Sequence, residues 1–457
     1  MLEQALKRAR EQRAEAEADF KELLSIPSVS SLSSHRADCR RAADWTAARL
    51  RAMGMEVELA DVVPDGHPVI SAQWLGRPGK PTLTIYGHYD VQPPDPLAEW
   101  ETPPFEPAVR NGRIYARGAG DNKGQYLSSL KAAEYAFAEG GPPLNLRFLI
   151  EGEEEITGPS LPRFVTQNAR RLKTDHLLIA DGSFVTQELP AIVTGLRGIL
   201  YTEIEAVGAS ADLHSGIYGG IAPNPLNTLA QIIAGLKGRD GRIRIPGFYD
   251  DVRPPAPEEL EAWRKLPKSD EDLKQEMGVE AMEGEADYSP VERTSSRPTL
   301  DVHGVIGGFV DEGKKTVIPA RAKAKVSMRL VPDQDPARIL DSLRRYVREL
   351  TTWGVKVEVH DLGQARPVLC GIDNPTVRAS ASAFEAAFGV APAFVREGGS
   401  IPVTVEFQQA LKPMMVVTGF GAPDMKAHSP NESHPLEAYH RGTEMVLHLM
   451  DELGRGD

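Results

Sequence analysis

Pro81-Thr82-Leu83-Thr84-Ile85-Tyr86-Gly87-His88-Tyr89-Asp90-Val91-Gln92-Pro93-Pro94 is the stretch whose reading decides the fold. The β-branched and aromatic run Thr82–Tyr86 predicts a strand, Gly87 ends it, and His88 and Asp90 fall on the loop just past its C-terminal end. Open α/β sheets keep their chemistry at that end. A histidine with a carboxylate two residues on suggests an imidazole with one nitrogen held by the acid and the other free for a metal. On its own a His-x-Asp pair more often marks an ordinary loop histidine, so the rest of the chain has to supply partners.

It does so three more times. Leu144–Ile150 is a nearly continuous apolar run, the pattern of a strand buried on both faces of a parallel sheet, and it leads into Glu151-Gly152-Glu153-Glu154-Glu155. His176–Ala180 is a second such run, ended by Asp181, and Met414–Thr418 is a third, leading through Gly419-Phe420-Gly421 to His428-Ser429-Pro430-Asn431-Glu432. Between them the glycine-rich stretch from Gly112 to Gly124 predicts a tight loop opening a helix over 125–139, with Asp121 aimed from the loop at a buried partner. It lacks the Gly-Lys-Ser/Thr and Gly-x-Gly-x-x-Gly patterns of nucleotide sites. Four strands thus deliver acid or imidazole at one end, and Asp121 joins them. Carboxylates crowded within ~4 Å repel by about 1 kcal/mol per pair even in water. Something positive has to sit among them, and two histidines with oxygen ligands point to zinc, manganese or cobalt, as a pair of ions bridged by one carboxylate. Spacing alone does not separate Glu153, Glu154 and Glu155, nor His428 from His434.

The remaining sequence sets the frame. A chain of 457 residues exceeds what one core usually serves, so two domains are expected. The net charge of -13 argues against nucleic acid or an anionic membrane as partner. Met1–Phe20 alternates charge with alanine without the apolar core of a signal peptide, and no run approaches the ~20 apolar residues of a membrane span. Cys39 and Cys370 stand alone and read as free thiols in a reducing, cytoplasmic compartment. Leu2–Leu24 predicts a surface helix, and Arg40–Met53 a second helix ending at Gly54 before a strand over Glu56–Leu59. From Leu196 to Val359 the order strand, helix, strand, strand, helix, strand predicts an inserted ferredoxin-like α+β domain with one open sheet face. Within it, Asp250–Pro298 reads as a surface excursion with short helices. The fold class expected is therefore α/β, a mainly parallel sheet with helices on both faces plus the inserted ferredoxin-like α+β domain, for which the residues alone give no role. The expected divisions are residues 1–194, 195–364 and 365–457.

These motifs resemble those of the M20 metallopeptidases, and specifically the cytosolic non-specific dipeptidase or carnosinase-like branch. The resemblance covers nearly the whole chain: Gly-His-Tyr-Asp-Val-Gln-Pro at 87–93, Gly-Asp-Asn-Lys-Gly at 120–124, Glu-Gly-x-Glu-Glu at 151–155, Asp212-Leu213-His214-Ser215-Gly216, Met328-Arg329-Leu330-Val331-Pro332, Glu397-Gly398-Gly399-Ser400-Ile401-Pro402 and His428-Ser429-x-Asn431-Glu432. It implies one ion on His88 and Asp181, the other on Glu155 and His428, with Asp121 bridging. It implies that Asp90 orients His88, that Glu154 is the general base, and that His214 acts across a homodimer on the developing oxyanion. The lid and dimerisation role of the inserted domain comes from the resemblance alone. Arg329 would clamp the substrate carboxylate, with Thr316 and Ser400 as further contacts. One departure concerns specificity: where the branch carries another substrate histidine, register puts Gly363, with His360 three residues away. The activity implied is hydrolysis of dipeptides or short peptides with a free C-terminal carboxylate. The rival activities are an N-acyl amino acid deacylase of the acetylornithine or succinyl-diaminopimelate type, and a non-catalytic peptide-binding or scaffold protein.

Overall fold

The computed structural model describes residues 1–267, 269–398 and 403–455 and divides into two compact units. The first comprises residues 1–194, 370–395 and 402–457; the second, residues 195–369 and 396–401.

The first unit is built on a twisted sheet whose strands lie in the order Glu56–Ala60, Val69–Trp74, Asn145–Glu151, Thr82–His88, His176–Ala180, Met414–Thr418, Ala191–Leu196. The four central strands are mutually parallel, and every residue of Asn145–Glu151 and His176–Ala180 is buried. That is why they read as unbroken apolar runs rather than alternating ones. Helices cover both faces. Gly124–Ala138, Pro375–Phe388 and Leu436–Arg455 pack together on one, over Leu83, Ile85, Phe148, Leu178 and Val416. Ser160–Gln167 and Val403–Ala410 pack together on the other, where Phe407 meets Tyr86 edge to face at 5.7 Å.

Two local expectations are corrected. The N-terminal segment is two helices, Leu2–Glu11 and Arg13–Leu24, broken at Gln12 (φ -103°, ψ 23°). It is not merely a surface element, since Ala5, Phe20, Leu23 and Leu24 are fully buried. Gly87 does not end its strand either; pairing continues through His88, which lies opposite Glu151. The glycine is there for clearance, because a Cβ at that position would come within 2.4 Å of the Tyr126 Cβ.

In the second unit four antiparallel strands lie in the order Thr299–Gly307, Arg321–Leu330, Gly198–Val207, Lys356–Ala365. With helices Pro225–Leu236 and Pro336–Leu350 following the first and third strands in the chain, this is the ferredoxin-like arrangement. Burial alternates strictly along Gly198–Val207, so Leu200, Ile204 and Ala206 enter the helix-covered core while Tyr201, Glu203 and Glu205 face the other way. The 250–298 excursion carries three short helices, Pro257–Arg264, Asp270–Met277 and Pro290–Ser295, and is tied down by Trp263 and by a buried Glu259–Arg396 ion pair with N–O distances of 2.6 and 2.8 Å.

Candidate metal centre

His88, the last residue of its strand, is completely buried, so its ring can turn only as its neighbours allow. Nδ1 lies 3.1 Å from the Asp90 carbonyl and 3.4 Å from Asp90 Oδ1. Nε2 faces the other way, 3.2 Å from Asp121 Oδ1 and 3.6 Å from Asp181 Oδ1. Asp181 is the residue that follows the His176–Ala180 strand. Its Oδ1 accepts from the Asn122 carboxamide at 2.6 Å; the same amide group donates to the Ala180 carbonyl at 2.7 Å, and the Asn122 oxygen accepts from the His88 backbone N–H at 3.3 Å. One buried side chain therefore spaces three of the segments.

The second oxygen of Asp121 faces His428. His428 Nε2 lies 3.0 Å from Asp121 Oδ2 and 3.2 Å from Glu155 Oε2. His428 takes φ +60° in its loop, a conformation few non-glycine residues adopt without tertiary support. Glu155 is held by Gln92, whose Nε2 donates to Oε2 at 2.9 Å, and by its own backbone N–H on Asp90 Oδ2 at 3.2 Å. The result is two groups of ligand-type atoms, His88 with Asp121 and Asp181, and Asp121 with Glu155 and His428, each within 4.8 Å and sharing Asp121.

Beneath this lies Glu432. Fully buried, it accepts from Arg117 Nη1 at 2.6 Å and from the backbone N–H groups of Gly118, Gly120 and Asp121 at 2.9, 2.9 and 3.0 Å. It fastens the loop carrying Asp121 to the loop carrying His428.

Electrostatics report the same crowding. Burial opposes the charged form of Asp121, yet hydrogen bonds from His428 and His88 outweigh it and hold the carboxyl below its ordinary range. His428 is pushed up to about 10 by its hydrogen bonds to Asp121 and Glu155. Burial lowers the basicity of His88, but Asp181, Asp121 and Asp90 together raise it well above normal. Glu154 is pushed up to about 8, by burial first and then by Asp181, Glu155 and Asp121, with His88 opposing. Carboxylates in excess of imidazoles, with each histidine turned to present Nε2, make a field that divalent cations answer, and the hard oxygen and imidazole donors fit zinc, manganese or cobalt.

The acidic run divides by geometry. Glu153 is buried and occupied, accepting from the backbone N–H groups of His67 at 2.7 Å and Ser160 at 3.0 Å. Glu154 and Glu155 begin a single 3-10 turn, Glu155 reaching His428 and Glu154 lying in the field of the shared cluster. His434 stands outside: it is buried, neither ring nitrogen has a hydrogen-bond partner, and burial pushes its pKa down to about 3.

The other expected residues lie in the second unit. His214 and Val317 pair in a two-stranded ribbon, the Thr316 carbonyl accepts from Ser215 N at 3.1 Å, and His214 Nδ1 accepts from Gly216 N at 3.0 Å. Arg329 lies on the face of its strand away from the helices, in register with Ile199. Ser400 falls outside the described residues. His360 lies 3.5 Å from Glu205, and Gly363 sits at a bulge. Gln92, Asn122 and Glu432, which hold the ligand-type side chains in place, stand inside the motifs at 87–93, 120–124 and 428–432 but carry no signal there that sets them apart from their neighbours.

Residues 84–452 match the sequence profile of peptidase family M20/M25/M40. The Cys-Gly metallodipeptidase of Schizosaccharomyces pombe is 34% identical over 454 residues, covering 94% of each chain. The human Beta-Ala-His dipeptidase is 31% identical over 421 residues, covering 89% of this chain and 83% of that one. Among solved structures, an M20 family metallo-carboxypeptidase from Sulfolobus solfataricus superposes with a TM-score of 0.86 at 31% identity, over 96% of this chain and 99% of the other.

Proposed function

The chain belongs to peptidase family M20/M25/M40, and from that premise we propose that it is a dinuclear metal-dependent dipeptidase, cleaving dipeptides or short peptides that carry a free C-terminal carboxylate. The observation that carries this reading is Asp121, which turns one carboxylate oxygen to each of two histidines at 3.2 and 3.0 Å. His88, Asp121 and Asp181 would hold one ion, Asp121, Glu155 and His428 the other, with zinc the first choice and manganese or cobalt the alternatives. Bound there, the ions supply a water acidified from ~16 toward ~7 and polarisation of the scissile carbonyl.

The chain's own residues do the rest. Glu154 takes the proton of the attacking water and returns it to the leaving amine, and Asp90 fixes the orientation of His88. Arg329, with Thr316 and Ser400, holds the substrate carboxylate, a task suited to a planar guanidinium. His214 donates to the developing oxyanion of the partner subunit's site, which requires a homodimer. That assembly is supported by the edge strand Thr299–Gly307, which leaves Val302, Val305 and Ile306 exposed, and by exposed Ile217 and Ile221 close in sequence to His214. The three-piece division and the lid role of the inserted domain belong to the same reading. So does a cytoplasmic location, supported by two free, buried cysteines and by the lack, among the described residues, of a helix long and apolar enough to cross a membrane.

The deciding test is a metal-reconstituted panel of dipeptides against N-acyl amino acids. Turnover of dipeptides, lost on chelation and restored by divalent ion, is the expected result. Turnover confined to N-acyl amino acids would replace the reading with a deacylase, and turnover of neither would leave a binding or scaffold protein.

A further inference from the structure

The 250–298 excursion of the second unit has no task in the proposed function. Its helix Pro257–Arg264 buries two residues, Glu259 and Trp263, whose spacing of four puts them on one helical face. Both meet Arg396. Glu259 Oε1 accepts from Arg396 Nε at 2.8 Å and Oε2 from Nη2 at 2.6 Å, and the guanidinium carbon lies 5.7 Å from the centre of the Trp263 ring. Oε2 also accepts from the Ala256 backbone N–H at 2.9 Å, so the helix's own first turn sets the direction of the carboxylate before Arg396 meets it. The next helix, Asp270–Met277, buries nothing.

Arg396 lies near the end of the strand Ala393–Glu397. Its stem passes against Gly195, where a Cβ would come within 3.1 Å of Arg396 Cδ. The Glu397 carbonyl accepts from the Arg197 backbone N–H at 3.2 Å, and the Gly398 carbonyl from Arg197 Nε at 3.3 Å. Three consecutive residues are therefore held by three tethers, the first of them supplied by the excursion. In the chain they lead directly into Gly399-Ser400.

A buried ion pair contributes little net stability once both charges have been dehydrated, so tying down a surface excursion does not call for one. What a forked pair adds over apolar contact is direction. Two parallel N–H···O bonds fix the plane of the guanidinium, and with it the stem and the backbone that carries it. We propose that Glu259 and Trp263 are positioning residues for substrate binding: the excursion grips Arg396 and thereby fixes the backbone that leads into Ser400. This rests on the reading of Ser400 as a substrate contact.

The experiment measures kcat, KM for a dipeptide, metal content and melting temperature for the full-length metal-loaded wild type, Glu259→Gln, Arg396→Gln, the double variant and Ser400→Ala. Each single change at the pair is expected to raise KM about tenfold while kcat stays within about twofold and metal content is unchanged, the pattern of lost substrate binding. The double variant should be no worse than the more affected single one, because the two residues act through one contact. It leaves neither charge unpaired inside the protein, so it carries the test through its own KM if a single variant fails to fold. An unchanged KM, even with a lowered melting temperature, overturns the proposal and leaves the pair a structural tie. A loss confined to kcat or to metal content overturns it as well, and so do effects that multiply in the double variant. If Ser400→Ala keeps the wild-type KM, the reading of Ser400 fails and the inference with it. If Ser400→Ala raises KM and Glu259→Gln does not, only the present inference fails.

Discussion

The carboxylates after the Asn145–Glu151 strand differ in what each touches. Glu153 is spent on two backbone N–H groups and Glu155 on His428 and Gln92, which leaves Glu154, in the field of the cluster, as the acid of the run available for proton transfer. Glu154→Gln keeps the shape and removes the proton acceptor. Turnover should fall by about a factor of a hundred or more, while the bound metal, measured by elemental analysis of the dialysed protein, stays at the wild-type ratio. Near-normal turnover would remove Glu154 from the role of base; lost metal would make it a ligand. His434 offers a separate test of the buried interior. Its folded pKa is depressed to about 3 against ~6.5 when unfolded, so both states are neutral above ~6.5 and only the unfolded state takes the proton below it. Stability should fall as pH drops from ~6.5 toward ~3, and urea melts at pH 7 and pH 4.5 should show a smaller fall in His434→Leu than in wild type. An identical fall in the two proteins would mean that the histidine is not held neutral. Neither distinction was legible from the chain, because three consecutive glutamates share every compositional property and a buried histidine resembles a ligand until its surroundings are known.

At the level of elements, four parallel strand ends were legible because burial on both faces forces uninterrupted apolar runs, and because acid and imidazole at the end of such runs break the pattern sharply. What joins the ends was not. Asn122 is a neutral carboxamide and carries no charge signal, and the three backbone donors of Glu432 lie more than three hundred residues away in sequence. Gly87 misled for a related reason: in isolation it reads as a strand breaker, and only the helix residue Tyr126 explains why the strand needs a glycine there. The role of Glu432 can be measured. In Glu432→Gln the Arg117 guanidinium loses its carboxylate inside the protein, and the two loops bearing Asp121 and His428 lose their common anchor. Metal affinity, followed by competition with a chromophoric chelator, should weaken about 10–100-fold, the usual consequence of removing a group that supports the ligands. A lowered melting temperature with unchanged metal affinity would reduce Glu432 to a stabiliser of the fold.

For the whole molecule, the chain's two units divide the expected chemistry: the metal-type cluster is complete within the first, whereas His214, Thr316 and Arg329 belong to the second. A histidine on an exposed two-residue ribbon, with its Nδ1 already accepting from Gly216, leaves Nε2 as the nitrogen able to donate. If that donor serves the neighbouring subunit, the two halves of one active centre come from two chains, and defects in different halves must complement. His214→Ala alone should depress kcat with its metal content intact. Mixed with Glu154→Gln under conditions that allow subunit exchange, it should regain activity, because each mixed dimer holds one site with an intact glutamate from one chain and an intact histidine from the other. Random exchange makes half the dimers mixed, with one working site in each, so recovery should approach about a quarter of wild-type activity per chain. No recovery, in a mixture whose exchange is verified by tagged subunits, would place His214 in the service of its own chain and detach catalysis from dimerisation.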